Sequence, residues 1–388
     1  MRRKLVVLMV TAFVDMLGLI IVYPLLPFYA TRMGASAMMV GALVASFSVA
    51  QLVSAPAWGW MSDRYGRRPA ILFGLLVSAV AYVIFAFAGS LWLLFISRII
   101  QGIGGGTIGV VQAYVADISA EKDRAKALGW LSAVTSLGAV IGPALGSLLV
   151  KFGGHIAPGL GSAALCVLVS VFAWAYLAES RTATQEFEAR HGLPQGQSAL
   201  RDVVLHPNLP ASRLIWIYAI AIGAFYGTTP LLPLVLASRL GVTDQNVGYF
   251  IMYLGGMGVI VRTSILGRMI EWIGEARLAR LGLILLAIGL AAVSTIHSYP
   301  TMLVPLTLMP MGTAFVFPCI TAMLSRVVSR KQRGLYMGVQ HTFGGVSRVA
   351  FPLIAGFGMD RLGQGMPFVF AGGMVLFTLL LTLSLESY

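Results

Sequence analysis

Charged residues are scarce in this sequence, and acidic ones are the scarcest. Only 11% of its 388 residues are charged and 14 are Asp or Glu, whereas 58% are hydrophobic. Soluble globular domains contain about 25% charged and about 45–50% apolar residues, so this composition excludes an ordinary soluble globule. The charges lie in short clusters between long apolar runs, which indicates membrane-crossing helices joined by short loops.

Cysteine pairs and catalytic sets are missing as well. The two cysteines, Cys166 and Cys319, fall inside apolar runs and make no disulfide framework. The sequence has no metal-ligand cluster, no nucleophile paired with a base and no phosphate-binding glycine loop. These absences argue against an enzyme, a metal or another cofactor, and against ATP hydrolysis by this chain.

The prominent feature is a series of twelve apolar runs, each about as long as a membrane helix. They lie at 5–29, 40–61, 69–88, 91–115, 127–149, 158–178, 213–236, 246–267, 277–296, 300–324, 335–357 and 366–385. The expected fold is all-α and integral to the membrane, with twelve transmembrane helices, which are called spans 1 to 12 below.

The positive charges indicate the orientation of these spans. Of the 27 Lys and Arg residues, only Arg32, Lys151, Arg239 and Arg361 lie in loops on the side opposite the termini. An excess of Lys and Arg marks cytoplasmic loops. We therefore expect a multi-pass protein of the cell membrane with both termini in the cytoplasm. The same distribution explains the net charge of +13 without nucleic acid as a partner.

The chain repeats itself after span 6. The letters YPLLP at 23–27 are echoed by TPLLP at 229–233, and the offset between matching positions stays between 206 and 209 residues. We predict two pseudo-symmetric six-helix bundles, 1–178 and 213–388, joined by a cytoplasmic linker at 179–212 with a short interfacial helix. Parallel six-helix repeats are a known transporter plan.

The loop between spans 2 and 3 carries the most specific motif. Its residues 59–72 read GWMSDRYGRRPAIL and contain Gly59, Asp63, Gly66, Arg67 and Arg68. This loop resembles the signature loop of the major facilitator superfamily. The resemblance implies that the arginine pairs with an acid ending span 4, here Asp117, in a latch that breaks during transport. The alternative is a solvated basic loop that only sets the topology.

Span 5 carries a second motif, made of Gly138, Gly142, Pro143 and Gly146. It resembles the antiporter motif that occurs mainly in drug exporters of that superfamily. Small residues four positions apart let two helices approach closely. Ordinary helix packing is the alternative interpretation, and it is compatible with the functional one.

Span 4 contains Arg98, Gln101, Gly105 and Gln112, whose spacings of 3, 4 and 7 predict one stripe along a continuous helix. The letters RIIQG at 98–102 match the superfamily's span-4 arginine motif. A charge at mid-membrane costs about 2.5–3.5 kcal/mol or more. Arg98 is therefore expected to face a cavity or a partner, or else to bond backbone carbonyls as a structural residue.

Asp15 is the only acidic residue deep inside a predicted span. Its surroundings resemble span 1 of drug and tetracycline proton antiporters in the twelve-span branch of the superfamily. We predict that Asp15 carries the coupled proton, with Arg98 and His341 as further coupling candidates. The alternative is a packed, hydrogen-bonded Asp without a role in turnover. Tetracycline pumps also carry acids in spans 3 and 9, and this chain has none there, which weakens the case for tetracycline.

The second half carries basic groups inside its spans instead. Arg262 lies in span 8, and His341 and Arg348 lie in span 11, with Arg348 about 20 Å into its helix. A basic cavity favours an anionic or zwitterionic amphipath. The alternatives are snorkelling of the arginines towards the surface and ordinary packing of His341.

Together these features predict proton-coupled export of amphipathic small molecules by alternating access, by a monomer in contact with membrane lipid. Candidate substrate contacts are the polar, aromatic and basic residues Gln51, Gln112, Tyr226, Tyr249, Tyr253, Phe315, Arg262 and Arg348. One alternative is a flippase or exporter of an anionic lipid or metabolite. Another is a membrane sensor or assembly partner that does not transport, since fold does not determine function.

Overall fold

Helices make up every regular element in the part of the chain that the computed structural model describes, which is residues 2–177, 179, 195–330 and 332–382. Each predicted span coincides with helix. Spans 2, 3, 5, 6, 9, 10 and 11 are Ala37–Tyr65, Arg67–Ala86, Glu121–Gly153, Ala157–Tyr176, Glu275–Ala292, Tyr299–Val327 and Arg333–Leu362. Residues 180–194 of the predicted linker lie outside the described residues, and the rest of it contains the expected short helix, Gln195–Leu205.

The other five spans are interrupted. Spans 1, 4, 7, 8 and 12 consist of Arg2–Val22 with Leu26–Arg32, Leu91–Gly104 with Thr107–Ile118, Pro210–Thr228 with Leu232–Leu240, Val247–Ile260 with Leu266–Ile273, and Met366–Phe377 with Leu379–Thr382. Ten spans in the described chain are long and apolar enough to cross a membrane, and span 12 is shorter. Span 11 is long enough but is less apolar, because Gln340, His341, Thr342, Ser347 and Arg348 lie in its interior.

The breaks in spans 1 and 7 arise from the repeated proline motif. A 3₁₀ turn covers Tyr23–Leu25 in span 1 and Thr229–Leu231 in span 7, and each turn contains a proline. A second proline opens the helix that follows. Proline removes a backbone donor but fits the first turn of a helix. The internal repeat is therefore a repeat of backbone structure as well as of sequence.

The break in span 4 corrects the prediction of one continuous helix. The first helix ends within three consecutive glycines, at 104–106, and the second begins at Thr107. Glycine is about 1 kcal/mol less favourable than alanine in a helix. The indole NH of Trp58 donates to the carbonyl of Ile103, and the Gln51 amide donates to that of Gly105 at 3.2 Å. A Cβ at position 106 would lie 2.1 Å from the Trp58 ring, so only glycine fits there.

The predicted polar stripe along span 4 is wrong for the same reason. Arg98 and Gln101 are buried before the break, whereas Gln112 is exposed after it. Helical spacing does not carry across 104–106, so the two groups of polar residues belong to different surroundings.

The described residues divide into two compact units. The first comprises 2–35, 46–177, 179 and 243–252, and the second comprises 36–45, 195–242, 253–330 and 332–382. The start of span 8 therefore packs inside the first unit, and the start of span 2 packs inside the second.

The two exchanged segments, 243–252 in the first unit and 36–45 in the second, each contain a glycine that packs against a proline carbonyl. In the first unit a Cβ at position 248 would lie 1.8 Å from the carbonyl oxygen of Pro143, and in the second a Cβ at position 41 would lie 2.1 Å from that of Pro352. Real Cβ atoms do not approach oxygens so closely, so Gly41 and Gly248 are the residues that allow these backbones to touch.

Polar groups reinforce the exchanged segment of each unit. In the first, the Ser147 hydroxyl donates to the carbonyl of Asp244 at 2.7 Å and accepts from the Gly248 amide at 2.9 Å. In the second, the Asp360 carboxylate accepts from the first two amides of span 2, both at 2.9 Å.

Candidate functional site

Asp15 of span 1 and Thr107 of span 4 meet inside the first unit. The Thr107 hydroxyl donates to a carboxylate oxygen of Asp15 at 3.1 Å. Thr107 is the first helical residue after the glycine break and is buried. The break in span 4 therefore determines the position of Thr107, the hydrogen-bond donor to Asp15.

Asp15 lies on the wall of a cavity of about 550 Å³ formed by spans 1, 4 and 5. This volume falls within the range of small-molecule sites, about 300–1,000 Å³. The lining residues are Ala12, Asp15, Met16, Ile108, Gly109, Val111, Gln112, Ala113, Leu128, Leu131, Ser132 and Thr135. Four of these are polar and the rest are apolar or small, which suits a molecule with an apolar body and a few polar groups.

The glycines of span 5 hold the Asp15 helix in place. A Cβ at position 138 would lie 2.9 Å from the carbonyl oxygen of Phe13, and a Cβ at position 146 would lie 2.3 Å from that of Ile21. At Gly142 the nearest atom is the Cβ of Ile20, at 3.1 Å. All three positions face span 1, so the motif brings the backbones of spans 1 and 5 together on either side of Asp15.

Arg98 is buried in the first unit but is not among the residues that line this cavity. Its residue surface is 1% exposed, and its guanidinium carbon lies 4.6 Å from the centre of the Phe47 ring. Its Nη1 donates to the side-chain oxygen of Gln101. Within the described part of the chain, Arg98 forms no ion pair with an acid, and it does not bind Asp15.

Arg67 of the signature loop joins two carboxylates. Its Nη1 lies 2.8 Å from Asp63, and its Nε lies 3.1 Å from Asp117 at the end of span 4. The same Nη1 also donates to the Ser62 hydroxyl at 2.7 Å. Arg67 is buried, so the pairing with Asp117 implied by the family resemblance is present in the structure.

Glu179 completes this loop, although the sequence motif does not include it. Its two carboxylate oxygens accept from the amides of Arg67 and Arg68, at 3.0 and 3.1 Å, and so cap span 3. Gly66 has φ = 102°, and a Cβ there would lie 2.5 Å from the Glu179 carboxylate. Gly66 therefore supplies both the backbone angle and the space for the cap. The Arg68 guanidinium donates to the carbonyl of Trp174.

The second unit contains the equivalent ion pair with the charges exchanged. Arg326 ends span 10 as Asp117 ends span 4, and it pairs with Glu275, which opens span 9 as Arg67 opens span 3. The repeat has preserved the bridge and reversed its polarity.

The basic candidates of the second unit are partly brought together. The Arg348 guanidinium carbon lies 5.2 Å from the centre of the Tyr226 ring, and its buried Nε has no hydrogen-bond partner among the described residues. His341 is exposed on the same helix. Arg262 is exposed in a π-helical segment, Val261–Ile265, a type of irregularity that is frequent at functional sites.

The remaining candidates divide between surface and core. Tyr226, Tyr249 and Tyr253 are 37–42% exposed, and the Tyr253 hydroxyl lies 2.9 Å from that of Thr307. Gln51 donates a hydrogen bond to the break in span 4. Gly59 of the signature loop has open space around its Cβ position. Phe315 is 2% exposed and packs against Gly282 in the core of the second unit, so its ring is not available to a substrate there.

A family model described as Major Facilitator Superfamily matches residues 8–279 and 263–387. The chain belongs to this superfamily. Its relatives there are transporters rather than enzymes, so the protein is a multi-pass membrane transporter.

Curated relatives within the superfamily resemble the chain over almost its whole length. Multidrug resistance protein 2 of Bacillus subtilis is 30% identical over 386 residues, covering 97% of this chain and 94% of the relative. The class B tetracycline resistance protein of Escherichia coli is 26% identical, covering 91% and 88%. The quinolone resistance protein NorA of Staphylococcus aureus is 25% identical, covering 92% and 90%.

Solved structures agree on the fold. A point mutant of the nucleoside transporter NupG matches with a TM-score of 0.83 at 13% identity and covers 99% of this chain and 100% of its own. The human organic anion transporter MFSD10 matches with a TM-score of 0.70 at 23% identity, covering 98% and 99%. At these identities the likeness concerns the fold alone.

Sequence reasoning missed Thr107, Ser132, Thr135 and Glu179. The three glycines before Thr107 are a recognisable helix-breaking signal. They could have predicted that a new helix begins at Thr107. Glu179 offers no such signal, because its partners lie 111 and 112 positions away along the chain.

Because spans 1 and 5 are in close contact, we predict that alanine substitutions at two glycines of span 5, Gly146 and Gly129, differ in their effect on stability. Gly146→Ala forces a methyl group against the carbonyl of Ile21 and should cost about 1–3 kcal/mol, as other overpacking substitutions do. Gly129→Ala, at a position with nothing within 4 Å, should be neutral or slightly stabilising. Thermal unfolding of both purified variants measures this, and equal melting temperatures would contradict the packing argument.

Proposed function

We propose that this transporter exports amphipathic small molecules in exchange for protons, by alternating access. The observation that carries the proposal is Asp15, a carboxylate on the wall of a 550 Å³ cavity. Among the described residues its hydrogen bond comes from the neutral Thr107, and no basic group pairs with it. The relatives named for resistance to multiple drugs, tetracycline and quinolones support the substrate class.

An unpaired carboxylate can link a proton to a substrate. Keeping a charge ionised without a counter-charge is costly where water is excluded. A substrate that enters the cavity displaces water from Asp15 and so changes the affinity of this group for a proton. By linkage the proton changes the affinity for substrate by the same factor.

The proposed cycle takes a proton from outside and releases it inside, with both termini in the cytoplasm, as the distribution of Lys and Arg predicts. The bacterial relatives support placement in the cytoplasmic membrane, and we propose that a monomer surrounded by lipid is sufficient. His341 stays a second candidate for coupling because it is exposed on span 11.

The decisive variant is Asp15→Asn, which mimics the protonated side chain and cannot release a proton. Uphill export driven by a pH gradient in proteoliposomes should fall to background. Substrate exchange without net proton movement should survive. Thr11→Ala is the matched control, because Thr11 is buried one turn away on the same helix and its hydroxyl donates to the Val7 carbonyl of that helix. Unchanged uphill pumping and pH dependence in Asp15→Asn would refute the role of Asp15.

Arg67 and its two acids are proposed as a latch that forms in one state of the cycle and breaks in another. Asp63→Asn removes the 2.8 Å ion pair but leaves Asp117, so the protein should fold and insert while transport slows several-fold. Glu271→Gln, at the matching position of the second half, is the control, since its i+4 neighbour is Glu275 and it cannot reproduce the pair. Transport rates of both variants are measured at matched expression. A wild-type rate in Asp63→Asn would argue against the latch.

A second candidate, export of an anionic lipid or metabolite, is favoured by the unpaired Nε of Arg348 above Tyr226. Arg348→Gln should then weaken binding of anionic compounds about tenfold or more and leave cationic ones little changed, since a charged hydrogen bond is worth about 1.5–3 kcal/mol. Arg361→Gln, which changes an exposed arginine at the end of the same helix, serves as the control for the loss of one positive charge. Equal losses of binding for anionic and cationic compounds would indicate that Arg348 has a structural role.

A further inference from the structure

Three buried donor atoms in the first unit have no hydrogen-bond acceptor among the described residues: Nε and Nη2 of Arg98, and the amide nitrogen of Gln101. The two residues are 1% and 4% exposed. Leaving a buried donor unsatisfied is destabilising, and more so when the donor is charged. Nearly all such groups in native proteins have a partner.

The two free nitrogens of Arg98 form one edge of its guanidinium. This edge is the fork that holds carboxylates and other anions through two parallel hydrogen bonds. The opposite nitrogen, Nη1, already donates to Gln101. That bond uses the oxygen of the Gln101 amide, and the same amide also lies close to the Tyr82 hydroxyl.

Among the described residues no carboxylate forms an ion pair with Arg98. One face of the guanidinium rests on the Phe47 ring. The Asp15 carboxylate is turned to Thr107 and the cavity instead.

We propose that Arg98 and Gln101 form a buried binding site for one small monovalent anion of the chloride class. A neutral water would satisfy donors but leave the guanidinium charge uncompensated in a low-dielectric interior, which is costly. An anion satisfies both the donors and the charge.

Packing around the two residues limits the size of the ligand. A Cβ at position 102 would lie 2.4 Å from the carbonyl oxygen of Phe47, and one at position 104 would lie 2.8 Å from the Ser78 hydroxyl. Spans 2 and 3 therefore close tightly on span 4 here. This close packing favours a monatomic ion over an organic substrate.

The proposal is independent of proton-coupled export. It concerns a site that does not line the cavity, and its test needs no transport. A failure of this test leaves the role of Asp15 untouched, and the reverse also holds.

Chloride itself is the probe. Purified protein in sodium gluconate is titrated with sodium chloride at constant ionic strength, and thermal unfolding is followed. Wild type should gain about 2 °C, in a saturable manner, once chloride exceeds its Kd about tenfold. Arg98→Met should abolish this gain. Arg98→Lys should keep it but need more chloride, because lysine lacks the fork.

Ser97→Ala is the matched control, since Ser97 is buried beside Arg98 and donates to its own helix at 3.0 Å. It should retain the full response to chloride. A wild-type melting temperature that ignores chloride, or a response that persists in Arg98→Met, overturns the proposal.

Crystals grown in bromide provide a measurement that needs no variant. An anomalous peak within hydrogen-bond distance of the Nε and Nη2 atoms of Arg98 is the expected result. No peak there at saturating bromide means that water alone satisfies the donors, and the anion site is then rejected.

Discussion

Inside a bilayer every backbone amide and carbonyl has to find its partner within the protein, and this constraint shapes both the fold and the site. It makes the described chain helical and demands a repair wherever a helix is interrupted. In span 4 the repair comes from Trp58 and Gln51 of span 2, which bind the carbonyls of Ile103 and Gly105. The interruption then sets the position of Thr107, and Thr107 contacts Asp15.

Close helix packing depends on the same constraint, because lipid offers no hydrophobic drive between helices and contact has to come from shape. The glycines of span 5 approach the carbonyls of span 1 from one side of Asp15 to the other. Within each unit a glycine–proline contact seats the exchanged segment in the same manner. Small side chains thus determine how firmly the charged residue is held.

The few charges inside the spans differ in how they are compensated. Arg67 has two acids, whereas Arg98, Arg348 and Asp15 each lack an opposite charge among the described residues. The bridge of Arg67 with Asp117 has an equivalent in the second unit, where Glu275 pairs with Arg326. Arg98, Arg348 and Asp15 have no charged residue at the matching positions of the other half. We therefore look for functional roles at these three residues.

Apolar run length, the repeat offset and the loop at 59–72 were enough to predict an all-helical membrane transporter of the superfamily, because these signals are local and span length follows from bilayer thickness. They also identified Asp15, since an acid within an apolar run stands out. The partners of these residues depended on tertiary structure: Thr107 beside Asp15, Glu179 on span 3, and Phe315 in the core instead of a cavity. Such contacts join residues tens to more than a hundred positions apart, so periodicity along the chain does not encode them, and one break at 104–106 is enough to separate residues that a regular helix would align.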